Sequence, residues 1–265
     1  RDRSVSRGLG DVYKRQIPGT LKIQPPYVVY HVLAQCATVA EAADLLKNKV
    51  TIMNLPLFGS VPTLHWAFSD RTGEMIVVEP DRDGLKVYRN TIGVMTNSPG
   101  YSWHRLNLLN YAGIRDLDYD VLDLESDRLN QCFSGSGAQG LPGDWSSPSR
   151  FIRLAFLKKY CVKGRDESQG VANMLHLFQS AAFPLGIVRI TEQGTVTEYD
   201  KDISPYDYTV YTSIMCGESL RFYWTTYQNQ QIQCVDMNHL KKGMKAVQFD
   251  LEQPPNLHLL SCPEK

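Results

Sequence analysis

The sequence predicts an α+β protein, on three observations. Helical apolar periodicities are segregated from strand-like alternation. Three alternating segments follow one another closely toward the end of the chain, as in an antiparallel meander. Earlier, Met75-Ile76-Val77-Val78 is a short apolar run that suits a strand covered on both faces. A chain of 265 residues is long enough to bury a large core, as one large domain or two small ones.

Residues 1–16 stand apart. They hold five basic and two acidic residues, few apolar ones and no periodicity, and they resemble a translated library adaptor. The other reading is a basic arm for an anionic surface. From Ile17 the elements follow in order. Thr38 can cap a helix whose Val39, Ala42, Ala43 and Leu46 fall on one face. A loop with Pro56, Gly59 and Pro62 leads to alternating Leu64, Trp66 and Phe68, then to a turn at Arg71-Thr72-Gly73. Strands are expected at Met75–Val78, 84–88 and 93–96, and a helix over 102–111. Residues 114–139 are polar and irregular, too long for an ordinary connection. Ser147 and Pro148 suit the N-cap and first position of a helix through Leu157. Ser168 suits the cap of another, with Val171, Met174, Leu175 and Phe178 on its buried stripe. The meander is expected at 208–214, 220–227 and 232–237.

Composition excludes several classes. Lys+Arg and Asp+Glu balance at 28 each, so no bulk charge calls for nucleic acid. No apolar run has the length of a membrane span. Six cysteines, with no CxxC pair, are spread over the chain, which points to free thiols in a reducing, cytoplasmic compartment. The six histidines show no HxxxH or HxH spacing, so no metal is expected, and no cofactor either. Phosphate-binding GxGxxG and GxxxxGK[ST] loops and the GxSxG elbow are absent.

Two residues stand out. Arg150 falls in the first turn of its helix, where the dipole makes a cation mildly unfavourable. It either pairs with Asp144 at the surface or is held there for a site. Asn97 falls where a strand breaks into a loop ahead of Ser98-Pro99. It either closes the strand with an Asx-turn or offers its amide to an anionic group.

Five segments, in order, carry a resemblance: Thr63-Leu64-His65-Trp66, Ile76-Val77-Val78-Glu79, Met95-Thr96-Asn97-Ser98-Pro99, Gly140–Asp144 with Ser147–Phe151, and Tyr208–Ser213. Together they resemble the choloylglycine hydrolase family of bile salt hydrolases and penicillin V acylases. The resemblance implies a four-layer αββα sandwich of the N-terminal-nucleophile hydrolase type. It implies hydrolysis of a small-molecule linear amide by an N-terminal cysteine whose own α-amino group is the base, in a homo-oligomer that needs no cofactor, metal, nucleic acid or membrane. It implies catalytic roles for Asn97 and Arg150, the latter favouring the thiolate. Leu57 and Phe58 match a loop beside the family's pocket; they either line an apolar wall or pack under the loop. Ala182–Val188 leans toward penicillin V acylases, and Gln230–Asn238 suits bile salt hydrolases equally. The family's cysteine, with the arginine and aspartate behind it, has no counterpart here. Residues 17–265 therefore read as the C-terminal part of a single such domain, missing its first strands and inactive alone. The alternative is a non-enzymatic interaction domain on the same scaffold.

Overall fold

A computed structural model of the chain describes residues 19–53, 55–56, 64–81, 84–189, 206–241 and 243–261. The adaptor-like residues 1–16, and Leu57 and Phe58, lie outside the described residues. Contacts divide the chain into two compact units, Arg1–Tyr160 and Cys161–Lys265.

In the first unit, β1 (Leu21–Ile23) is followed by α1 (Val28–Gln35) and α2 (Val39–Asn48), and pairs in parallel with β2 (Val50–Ile52). α2 begins as the sequence predicts. Thr38 Oγ1 accepts from Glu41 N at 3.2 Å and the Glu41 carboxylate accepts from Thr38 N at 3.2 Å, so two otherwise orphaned donors are satisfied reciprocally. Val39, Ala42, Ala43 and Leu46 are all buried.

An antiparallel meander follows: β3 (Trp66–Ser69), β4 (Met75–Asp81) and β5 (Gly84–Tyr88). Trp66 and Phe68 point inward while Ala67 and Ser69 are exposed. β4 is covered on both faces as expected, with Ile76, Val77 and Val78 wholly buried. Its alternation feeds two cores. Ile76 and Val78 pack with Val28, Leu46, Trp66 and Phe68, whereas Val77 packs with Val94, Tyr101 and Phe151.

The strand expected at 93–96 is not formed. Gly93 has φ +73, and the backbone groups of Ile92 are taken by side chains instead of a ladder: Tyr101 Oη accepts from Ile92 N at 3.0 Å and Lys158 Nζ donates to Ile92 O at 2.7 Å. The helix expected over 102–111 is α3 (Tyr101–Asn107) followed by a 3-10 turn, Leu108–Tyr111. Residues 114–139, expected to be irregular, contain a hairpin of β6 (Val121–Leu124) and β7 (Asp127–Asn130). Almost every residue of it is exposed, so no apolar alternation marks it in the sequence. α4 (Ser147–Tyr160) closes the unit and buries Phe151 and Ile152. Ser147 lies inside α4 and not at its cap; Ser146 O accepts the first helical bond, from Arg150 N at 3.0 Å.

In the second unit, α5 (Glu167–Gln179) is capped by Asp166, which accepts from Gln169 N at 2.8 Å; Ser168, the expected cap, sits in the first turn. The carboxylate is the better acceptor at a helix N-terminus. Val171 is buried on the expected stripe, but Met174 is exposed. A short β8 (Val188–Arg189) pairs with β9 (Tyr206–Asp207). The predicted meander forms from β10 (Tyr211–Cys216), β11 (Arg221–Thr226) and β12 (Gln233–Asp236). Glu167 ties α5 to its hairpin, accepting from Ser219 Oγ and Tyr223 Oη at 2.6 Å each. That carboxylate pushes the Tyr223 phenol up to about 12.

Candidate active site

The site lies in the first unit, where residues 89–100 connect β5 to α3. This connection is anchored from β4. Glu79, buried at 8% exposure, turns both carboxylate oxygens to Tyr101 N at 2.9 Å, at the start of α3. Burial raises the Glu79 pKa, and the Tyr101 N–H opposes that shift. Gly100 allows the approach: a Cβ there would lie 3.0 Å from Glu79 Oε2. The Ser98–Pro99 peptide is cis.

Asn97 is exposed at the end of this connection, and Arg150 reaches it from the first turn of α4. Arg150 Nη2 donates to Asn97 Oδ1 at 2.9 Å across 53 residues of sequence, and Arg150 Nε donates to Trp145 O at 3.0 Å. A guanidinium has only donors, so this contact fixes the Asn97 amide with its oxygen toward Arg150 and its NH₂ turned away. The Asp144 carboxylate, the surface partner considered for Arg150, is bound elsewhere. It accepts from Ser146 N at 2.9 Å and Ser149 Oγ at 2.6 Å; the Ser146 hydroxyl first, then that of Ser149 and the Ser146 N–H, hold its pKa down to about 2. Arg153, one turn further along α4, holds the preceding loop from inside, donating to Pro142 O and Asp144 O at 2.7 and 2.6 Å. Two arginines on one helix face thus do separate tasks: one orders the loop, the other orients an amide.

Three residues around Asn97 were not read from the sequence as partners of it. Behind Asn97 lies His104 of α3, 2% exposed, with Nε2 2.8 Å from Asn97 O. Ser147 Oγ donates to the same carbonyl at 2.5 Å. Thr96 Oγ1 donates to Ser147 O at 3.2 Å. Burial lowers the His104 pKa; the Asn97 carbonyl opposes this, Arg150 reinforces it, and Pro99 O opposes it weakly. Burial thus favours the neutral imidazole over the imidazolium. His65 is also lowered, by burial and then by the proximity of His104. A lone histidine within a short helix reads as core, and the hydroxyl of Ser147 reads as a cap. Nothing local in the sequence directs either one to Asn97.

The first unit's described cysteines lie apart from this arrangement. Cys36 packs against the core under α2, with its pKa raised chiefly by burial, and Cys132 is exposed beyond β7. Among the described residues no three His, Cys, Asp or Glu side chains are grouped to hold a metal ion. No described helix is long and apolar enough to cross a membrane.

Comparison with known proteins places these features in a family. The model of the linear amide C–N hydrolases, choloylglycine hydrolase family, matches residues 9–249. The bile salt hydrolase/transferase of Clostridium perfringens is 37% identical over 227 residues, 85% of this chain and 65% of that protein. The bile salt hydrolase/transferase of Lactiplantibacillus plantarum is 31% identical over 229 residues, 86% of this chain and 67% of that protein. The chain thus spans about two thirds of the length of these relatives. The crystal structure of a cysteine-to-alanine mutant of the conjugated bile acid hydrolase from Clostridium perfringens matches with a TM-score of 0.80 at 34% identity, covering 94% of this chain and 73% of that one. Penicillin V acylase from Agrobacterium tumefaciens shares the fold, with a TM-score of 0.63 at 20% identity over 86% of this chain and 60% of that one. The fold is the α+β fold of the N-terminal-nucleophile hydrolases, as the resemblance implied. The chain belongs to the choloylglycine hydrolase family of linear amide C–N hydrolases.

Proposed function

We propose that this chain is the larger part of an amidase that cleaves conjugated bile salts or penicillin V by covalent catalysis at an N-terminal cysteine, and that Asn97 and Arg150 serve that reaction. The nucleophile comes from sequence outside the 265 residues. The observation that carries the reading is the 2.9 Å contact between Arg150 Nη2 and Asn97 Oδ1. It leaves the NH₂ of an exposed amide facing outward with two donors, suited to steady the oxygen of a tetrahedral intermediate. It also leaves a guanidinium beside the same point, suited to favour a thiolate. Leu57 and Phe58 are proposed as an apolar wall for the acyl group. The assembly is proposed to be a homo-oligomer.

In this reaction the thiolate adds to the amide carbonyl carbon. The C–N bond then breaks, and the proton held by the α-amino group goes to the departing amine. Water subsequently cleaves the thioester, releasing the acid. Conjugated bile acids would yield glycine or taurine. The relatives named for bile salts favour that class, because the likeness to penicillin V acylase is one of fold alone.

The test is amine release from glycine- and taurine-conjugated bile acids and from penicillin V. It uses the protein extended by its upstream sequence, before and after alkylation of its thiols. Release that alkylation abolishes is expected, and the 265-residue chain alone should release nothing. Failure of the extended protein on every linear amide tried, or full activity after alkylation, would sink the reading.

A further inference from the structure

We infer that His104 and Ser147 are a positioning pair for Asn97, clamping its backbone carbonyl from behind so that its side chain is presented to Arg150. What the presented amide then does rests on the amidase reading above; how it is held rests on geometry.

The Asn97 carbonyl has two lone pairs, and two donors meet it: His104 Nε2 at 2.8 Å and Ser147 Oγ at 2.5 Å. Because the carbonyl can only accept, Nε2 carries the imidazole proton. Among the described residues Nδ1 is buried and makes no hydrogen bond of good geometry, so the short contact to Asn97 O is what assigns the proton to Nε2. The ring cannot easily swing away. It stacks on Phe151 with centroids 4.5 Å apart and planes within 12°, and Trp103 meets it edge-on at 5.5 Å. Phe151 is the neighbour of Arg150 in α4 and is wholly buried. One helix start therefore supplies the hydroxyl that clamps Asn97, the guanidinium that orients its amide, and the face that fixes the imidazole. Thr96 completes the clasp by donating to Ser147 O, so loop and helix hold each other in both directions. An exposed side chain consequently stands on a peptide held by a buried imidazole and a half-buried hydroxyl. That is the preorganisation an amide needs if it is to donate without rearranging at the moment of reaction.

Two measurements test this. In the extended protein, His104→Leu should lower kcat by about 10- to 10²-fold through misplacement of the amide, with KM changed by less than about twofold. His104→Gln, which restores an N–H donor, should recover most of the loss. Ser147→Ala should act in the same direction, and the double variant should lose less than the product of the single losses, because both donors share one acceptor. If His104→Leu does not fold, Ser147→Ala and His104→Gln carry the test. In the 265-residue chain, nitrogen-15 NMR should show His104 as the Nε2–H tautomer. In His104→Leu and Ser147→Ala the Arg150 Nε–H resonance should shift toward its solvent-exposed value, and the Asn97 side-chain amide resonances should move as its contact with Arg150 loosens. Folded His104→Leu or Ser147→Ala with wild-type kcat and unmoved resonances overturns the inference, as does a loss confined to melting temperature. An extended wild type that cleaves no linear amide removes the amidase reading, and the NMR result still decides whether the clamp exists.

Discussion

Arg150 and Asp144 are six residues apart and both charged, yet each does its work with another partner. Arg150 uses two edges of its guanidinium, one on Trp145 O and one on Asn97 Oδ1. A lysine has no such fork. In the extended enzyme Arg150→Lys should therefore lose activity almost as fully as Arg150→Ala, about 10²-fold in kcat; wild-type turnover in Arg150→Lys would reduce the residue's role to its charge. Asp144 gives a pH-dependent prediction. Its folded pKa of about 2 lies below the unfolded value of about 3.9, so the unfolded chain binds more protons between the two values. Its contribution to stability is complete above about pH 4 and is lost as pH falls through about 2. The gap in urea midpoint between the wild type and Asp144→Asn should accordingly narrow over that window and stay constant above it. His104 has the same sign, its folded pKa being depressed: its contribution is complete above the unfolded value of about 6.5 and falls as pH drops below it.

Elements differ in how much of themselves they write into the sequence. α2 is legible because cap, capping box and apolar face all fall within eleven residues, 38–48, and agree with one another. β4 is legible because an apolar run bounded by a turn admits little else. The β6–β7 hairpin is illegible because neither of its faces is buried, so the period-2 signal that marks a strand is never written. The stretch 93–96 misleads for the opposite reason: Val94 and Thr96 are buried, but the chain enters it from Ile92, whose backbone is fastened by side chains from α3 and α4, and turns at Gly93 with φ +73. Residues 114–139 are stiffened by backbone packing that composition does not reveal. A Cβ on Gly137 would fall 2.2 Å from Leu117 O and 2.8 Å from Arg115 O, both main-chain atoms. Gly137→Ala should therefore cost roughly 1–3 kcal/mol in urea unfolding. Gly143→Ala, whose Cβ would meet nothing within 4 Å, should fall within about 0.5 kcal/mol of wild type. Equal effects would show that the close approach at Gly137 relaxes freely.

Across the whole chain, the resemblance pointed to Asn97 and Arg150, which the structure brings into contact, while periodicity supplied only the elements that carry them. Residues 53 positions apart leave no local trace of their meeting. His104 and Ser147 stayed hidden because burial and capping already account for those residue types. The arrangement depends in turn on β4, whose even-numbered side chains serve one core while Val77 serves the other and Glu79 anchors Tyr101. A strand obligated on both sides has no neutral way to change its length. Removing one residue within Met75–Val78 turns half the strand over, so that the two cores and the Glu79 anchor can no longer all be satisfied. Scanned by single-residue deletions, the chain should lose soluble expression across β4 and keep it across the exposed tip between β6 and β7. A deletion tolerated in the middle of β4 would contradict this. Among relatives, insertions and deletions should then collect in the hairpin and be excluded from β4, so that chain length drifts there while the frame behind Asn97 keeps its count.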